Sequence, residues 1–201
     1  MYESHFRLRQ RPFRSAPDCS HYYPATGHED ALTQLLQALA EDEGLVLLTG
    51  EPGLGKTLLC HCLLESCGSL RSAFVINSHL PDRAALLQVI LYDLGLPYEG
   101  RGEQELRLAL TEDLLKHCGE HGPTLLVIDE AHHLAPDLLE ELRLLSNLES
   151  GAGRALQIVL VAQPTLLETL ARLELASFRQ RLAVRARLGP LAPAEIGRAH
   201  V

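Results

Sequence analysis

Gly50-Glu51-Pro52-Gly53-Leu54-Gly55-Lys56-Thr57 is the stretch from which the rest of the chain can be read. It follows the apolar run Leu45-Val46-Leu47-Leu48 and precedes Leu58-Leu59-Cys60, so it reads as strand, glycine-rich turn and helix. The spacing is the phosphate-binding pattern G-x-x-x-x-G-K-[ST] in the context that the pattern requires. Its glycines allow successive backbone N–H groups to wrap inward around phosphate oxygens. The helix opening near Lys56 turns its positive dipole end to the same anion. Lys56 is expected to neutralise the β- and γ-phosphates, and the Thr57 hydroxyl to bind Mg2+. Gly50, Glu51, Pro52, Gly53, Leu54, Gly55, Lys56, Thr57 and Leu58 are therefore the candidate nucleotide-binding residues.

The 201 residues suffice for a full core and predict one domain, or one and part of another. Hydrophobic content of 46% and charged content of 22% are ordinary for a soluble globular protein. A formal charge of −8 argues against broad electrostatic adhesion to nucleic acid. The opening Met1-Tyr2-Glu3-Ser4-His5 is neither basic nor followed by an apolar core, and no apolar run approaches a membrane span. A cytoplasmic location is expected. Five cysteines, an odd number, read as reduced thiols. Cys60, His61, Cys62 and Cys67 invite a metal reading, but Cys60 and Cys62 diverge by about 200° around one helix. Buried small side chains are the expectation.

Outward from the loop, strands alternate with helices. Residues 1–27 hold aromatics, prolines and arginines without periodicity, including Phe6, Phe13, Tyr22 and Tyr23, and are expected to pack on the domain. The cluster Arg7, Arg9, Arg11 and Arg14 reads as a solvated face before it reads as a nucleic-acid site. Residues 28–41 carry leucines at helical spacing. Strands are predicted at 45–49, 73–77, 124–128, 156–161 and around 183–188. Helices are predicted from the loop to about 67, then at 81–94, 103–118, 137–148 and about 165–175. The strands are apolar throughout, the signature of a parallel sheet covered on both faces. Ligands of such sheets bind at the carboxyl ends of the strands. The glycine-rich loop, Asp129-Glu130 and Gln163 all fall at such ends.

A buried strand that runs into Asp129-Glu130 is the second half expected of a nucleotide hydrolase. Asp129 would orient Mg2+ and its water shell, and Glu130 would polarise the attacking water; the alternative is an acid-capped helix start. His132 and His133 read as ordinary neighbours or surface residues before they read as a metal pair. Gln163 ends the strand beside Asp129-Glu130, where its amide would sense the γ-phosphate or the water, or else it is a turn residue before Pro164. Arg179 and Arg181 lie outside the site's own loops. An arginine there would reach a neighbouring subunit's γ-phosphate, or else belong to a basic surface with Arg172, Arg185 and Arg187.

Several blocks point further: Met1-Tyr2-Glu3-Ser4-His5-Phe6 with Pro12-Phe13 and Pro17-Asp18, Val127-Ile128-Asp129-Glu130-Ala131-His132, Leu142-Arg143-Leu144-Leu145-Ser146-Asn147-Leu148-Glu149, and Leu156-Gln157-Ile158-Val159-Leu160-Val161-Ala162-Gln163-Pro164. With these the chain resembles the AAA+ ATPases of the general secretion pathway protein A (ExeA-like) type. The resemblance implies an α/β, three-layer P-loop NTPase (AAA+) with a five-stranded parallel sheet ordered 5-1-4-3-2. It also implies ATP with Mg2+, hydrolysis, and ring-like homo-oligomers that share sites between subunits. It supports Gln163 as the sensor and Arg181 as the in-trans arginine, with Arg179 in reserve. The chain departs from the pattern at Ala162, where glycine is expected, and at Thr165, where an acid is usual.

Relatives of this type continue into a helical lid and, beyond it, a membrane span and a cell-wall-binding region. The expectation is a core domain over 1–195 that lacks this lid. The last six residues, 196–201, can be encoded by common sequencing-adapter DNA and are expected to be a non-native tail. Help in assembling a secretion or pilus apparatus is the leading function. A helper of DNA transposition, using the basic clusters at 7–14 and 172–187, is an alternative. An ATP-binding switch without turnover is another.

Overall fold

The computed structural model describes residues 19–76 and 78–196. Most of the arm, with Arg7, Arg9, Arg11 and Arg14, and nearly all of the 196–201 tail lie outside the described residues.

Five parallel strands form the centre: β1 (Leu45–Gly50), β2 (Ser72–Val75), β3 (Thr124–Ile128), β4 (Leu156–Ala162) and β5 (Leu182–Leu188). Read across the sheet they run 5-1-4-3-2, the order expected. Every residue of β1, β3 and β4 is buried, as continuous apolar strands require when both faces are covered. Side chains alternate between the two faces. Val46 and Leu48 pack on one face with Leu35 of helix α1 (Thr26–Ala40) and Leu59 and Leu63 of α2 (Lys56–Cys67). Leu45 and Leu47 point to the other face. That side is covered by α3 (Arg83–Asp93), α4 (Glu103–His121), α5 (Pro136–Leu145), α6 (Thr165–Leu170) and α7 (Ala176–Arg181). A short α8 (Pro193–Ile196) follows β5.

The edge strand β5 differs from the expectation of apolar strands throughout. Leu182, Ala186 and Leu188 are buried, whereas Ala183, Arg185 and Arg187 are exposed. Helices cover only one face of it along most of its length, so it alternates as a half-buried strand does.

Several predicted boundaries shift. The helix predicted from Pro81 starts at Arg83, because the Asp82 carboxylate accepts the Ala85 N–H at 2.8 Å and caps it there. The helix predicted to reach 148 stops at Leu145. Arg154 Nη1 donates to the Ser146 carbonyl at 2.8 Å, and a small hairpin pairs Glu149–Ser150 with Gly153–Arg154. The helix predicted over 165–175 breaks after Leu170. Arg179 Nη1 donates to the carbonyls of Leu170 and Ala171, at 3.1 and 2.8 Å, satisfying the terminal acceptors that further turns would have used. The chain resumes as α7, which buries Phe178 completely. The strand predicted over 73–77 covers Ser72–Val75, and Asn77 lies outside the described residues.

One buried charge joins the helices over the second face. The Glu141 side chain on α5 has no exposed surface and accepts a hydrogen bond from Arg107 of α4. Burial pushes the Glu141 carboxyl up, against the pull of the Arg107 guanidinium. Its other oxygen, Oε1, has no partner among the described residues. Arg107→Leu is expected to cost about 1–3 kcal/mol, less than a fully buried pair because Arg107 remains partly exposed. The loss should grow as pH rises, since an unpaired Glu141 is tolerated only while protonated. Thermal unfolding of both proteins between pH 5 and 8 measures it.

Candidate functional site

The glycine-rich loop joins β1 to α2 at the carboxyl edge of the sheet. Gly53 and Gly55 take φ of +81° and +84°, a left-handed conformation that bulkier side chains resist, so the sequence pattern is met by backbone need. A Cβ on Gly50 would stand 3.0 Å from the Leu188 carbonyl oxygen, so the end of β5 also requires glycine there. Lys56 is 5% exposed and its Nζ donates to the Glu51 carbonyl at 3.1 Å across the loop. His28 of α1 holds the other side, with Nε2 2.9 Å from the Leu54 carbonyl oxygen.

An ammonium carries three donors, and Lys56 forms no ion pair among the described residues. Beside it, the first N–H groups of α2 lack intrahelical partners. This donor set fits an anion of the size of a phosphate chain.

Facing the loop, β3 ends in Asp129, which is 2% exposed. Thr57 Oγ1 donates to Asp129 Oδ2 at 2.6 Å, and the Glu130 N–H donates to Oδ1 at 2.8 Å. A hydroxyl and a carboxylate oxygen held side by side are the hard ligands that Mg2+ takes.

Glu130 has φ of +52°, rare for a residue with a side chain and costing about 1–2 kcal/mol. The Ser78 hydroxyl donates to its carbonyl oxygen, and the Asp129 contact holds its N–H. The Glu130 carboxyl remains 39% exposed, open to solvent on the loop side of β3. Sequence reasoning missed both Ser78 and the left-handed turn, because neither shows in a local pattern.

Gln163, directly after β4, reaches the same carboxylate, with Nε2 3.5 Å from Glu130 Oε2. The alanine at 162 is accommodated: it is fully buried at the end of β4, in register with Thr49 of β1. His132 stands between the two segments. Its Nδ1 is 3.4 Å from the Gln163 N–H nitrogen, and its Nε2 is 3.3 Å from Glu130 Oε2. Burial, and next the neighbouring His133, press the His132 imidazole below its ordinary range, although Glu130 pulls the other way. His133 stacks on His79 with centroids 3.9 Å apart. Ligand atoms of Glu130, His132 and His133 lie within 4.8 Å of one another. However, a backbone N–H aimed at Nδ1 places the His132 proton on Nε2, so a donor and not a lone pair faces Glu130.

On α2, Cys60 and Cys62 are buried side chains as expected, at 0% and 7% exposure, whereas Cys67 at the end of the helix is only half-buried. His61 between them sets its ring edge-on to Phe74, 5.1 Å away.

Arg179 and Arg181 are not brought to this site. Arg179 is bound to the end of α6. Arg181 is exposed and lines a cavity of about 170 Å3 with Glu43, Gly44, Leu45, Asn147 and Arg154, at the edge where the strands begin. The loop and Glu130 occupy the opposite edge.

Residues 36–170 match the family described as AAA domain. The chain belongs to the AAA domain family. The span of the AAA domain match contains the loop, Asp129, Glu130 and Gln163, and ends before both arginines. Over 198 residues, 98% of the chain, this AAA domain protein is 36% identical to General secretion pathway protein A of Aeromonas hydrophila, and it spans 36% of that protein's length. Among solved structures it is similar to Cdc6p of Pyrobaculum aerophilum, with a TM-score of 0.68 at 23% identity over 91% of this chain and 53% of that one. ORC2 of Aeropyrum pernix gives a TM-score of 0.65 at 18% identity, over 86% of this chain and 50% of that one. At these identities the two structures speak for the AAA domain fold alone. Among the described residues, no helix is long and apolar enough to cross a membrane.

Proposed function

We propose that the protein binds ATP with Mg2+ at residues 50–58 and hydrolyses it. The observation that carries this reading is the 2.6 Å contact of Thr57 Oγ1 with Asp129 Oδ2. It sets the hydroxyl of the glycine-rich loop beside the carboxylate of β3, with Glu130 next in the chain.

In this reading Lys56 and the N–H groups opening α2 hold the phosphates, and Thr57 and Asp129 hold the metal. Mg2+ bound there would supply positive charge against the β- and γ-phosphate oxygens. Glu130 takes a proton from water as it attacks, and Gln163 orients that water or the γ-phosphate. Arg181, far from its own site, serves the site of a second copy; Arg179 is the reserve, though its guanidinium is engaged at the end of α6. The identity with General secretion pathway protein A supports a role in assembling a secretion or pilus apparatus, performed by a homo-oligomer.

Phosphate release that requires Mg2+ is the expected result for the wild type. Lys56→Ala removes the buried ammonium and should weaken ATP binding at least about 100-fold, since a charge-assisted contact to phosphate is worth about 3 kcal/mol when buried. Titration calorimetry with ATP checks it. Equal affinity in wild type and Lys56→Ala would overturn the reading.

A further inference from the structure

Between Gln163 and Glu130, the His132 ring has one nitrogen toward each residue. The Gln163 N–H points at Nδ1 and can donate only to a lone pair, so the ring proton belongs on Nε2. Nε2 stands 3.3 Å from Glu130 Oε2. The His132 side chain is 9% exposed, and the 3₁₀ turn Ala131–His133 that carries it packs against β4. The ring is therefore fixed by burial and by a backbone group that no side-chain exchange at Gln163 removes.

We propose that His132 is a positioning residue: its neutral ring, fixed by the Gln163 N–H, keeps the Nε2–H dipole beside the Glu130 carboxylate, 3.3 Å from Oε2, and so links the end of β4 to that carboxylate. The inference rests on the reading of Glu130 as the group that activates water.

Three features agree with it. Glu130 leaves β3 through a left-handed residue, so its carboxyl is directed by contacts outside the strand. The two groups that reach Oε2, Gln163 Nε2 at 3.5 Å and His132 Nε2 at 3.3 Å, both belong to the link between β4 and the turn. The charged and titratable groups that bear on His132 are His133, Glu130, Lys56 and Asp129. Together with burial they leave the ring neutral at pH 7, the form in which Nδ1 can accept.

Two substitutions separate positioning from packing. His132→Phe keeps the ring and loses both nitrogens. His132→Gln places an amide N–H near the position of Nε2. His132→Phe is expected to lower kcat about 10–100-fold with KM for ATP within about threefold, because a misdirected group slows chemistry without loosening substrate. His132→Gln should recover most of that loss. A His132→Phe protein with wild-type kcat would overturn the proposal, as would a His132→Gln protein as slow as His132→Phe.

A second readout needs no turnover. Nitrogen-15 spectra of the histidine rings should show His132 as the Nε2–H tautomer, and Glu130→Gln should move its pKa further down by removing the carboxylate that raises it. The Nδ1–H tautomer, or a pKa indifferent to Glu130→Gln, would overturn the link. If the wild type releases no phosphate, the hydrolytic reading fails, and the nitrogen spectra alone decide the geometry.

Discussion

Glu130→Gln should leave ATP binding close to wild type and slow hydrolysis about 10²–10⁴-fold, the range for losing a positioned general base. The substitution is nearly isosteric, and the backbone it sits on is held by other groups. Ser78 holds the Glu130 carbonyl and Asp129 Oδ1 holds the N–H, so the left-handed turn survives the change. Lys56, Thr57 and Asp129, which would hold the nucleotide and its metal, are untouched. The side-chain oxygen that remains can still accept from Gln163. What is lost is the capacity to take a proton from water. Single-turnover phosphate release, paired with an ATP titration, reads the two effects separately. A variant that binds normally and turns over within about threefold of wild type would remove Glu130 from the chemistry.

Arg181→Ala should reduce hydrolysis about 10³-fold or more while preserving the fold, the scale seen when an arginine that neutralises transition-state charge is removed. Arg181 is exposed and forms no ion pair or hydrogen bond among the described residues, so its loss strands no buried partner. It lies at the edge where the strands begin, so it cannot serve the site at the carboxyl edge of its own sheet. A mixing experiment follows from that separation. Arg181→Ala and Glu130→Gln proteins, each inactive alone, should regain phosphate release together, because some shared sites would pair an intact Glu130 with an intact Arg181. A mixture as inactive as its components, alongside an active wild type, would rule out the shared site. Arg179→Ala serves as the contrast: it uncaps the carbonyls of Leu170 and Ala171, so its main effect should be on stability.

The parts of the fold legible in the sequence are those set by local pattern. The glycines at 53 and 55 stand where the backbone turns left-handed, and Asp129 ends an apolar strand and meets Thr57. Strand existence was readable from apolar runs, whereas strand order came from the family resemblance, since no periodicity encodes who pairs with whom. Most of the failures share one physical origin: groups outside the element overrode its local propensity. Arg179 ends a helix whose own residues favour continuing, and Arg154 takes a carbonyl that Ser146 would have kept within a helix. The left-handed Glu130 is held by Ser78, more than fifty residues away. His132 looked ordinary because an imidazole gains meaning only from what lies against each nitrogen. The burial of Glu141 beneath Arg107 was equally invisible, being a contact between two helices.

A sheet margin with unpaired amides is a template on which any extended chain can add itself. Here one margin, β2, is only four residues long, and the other presents Arg185 and Arg187 to solvent on either side of the buried Ala186. A strand added to β5 would have to desolvate two guanidinium groups, and one added to β2 would find too short a ladder to repay its ordering. Copies of this protein are thereby steered away from fusing their sheets into fibres.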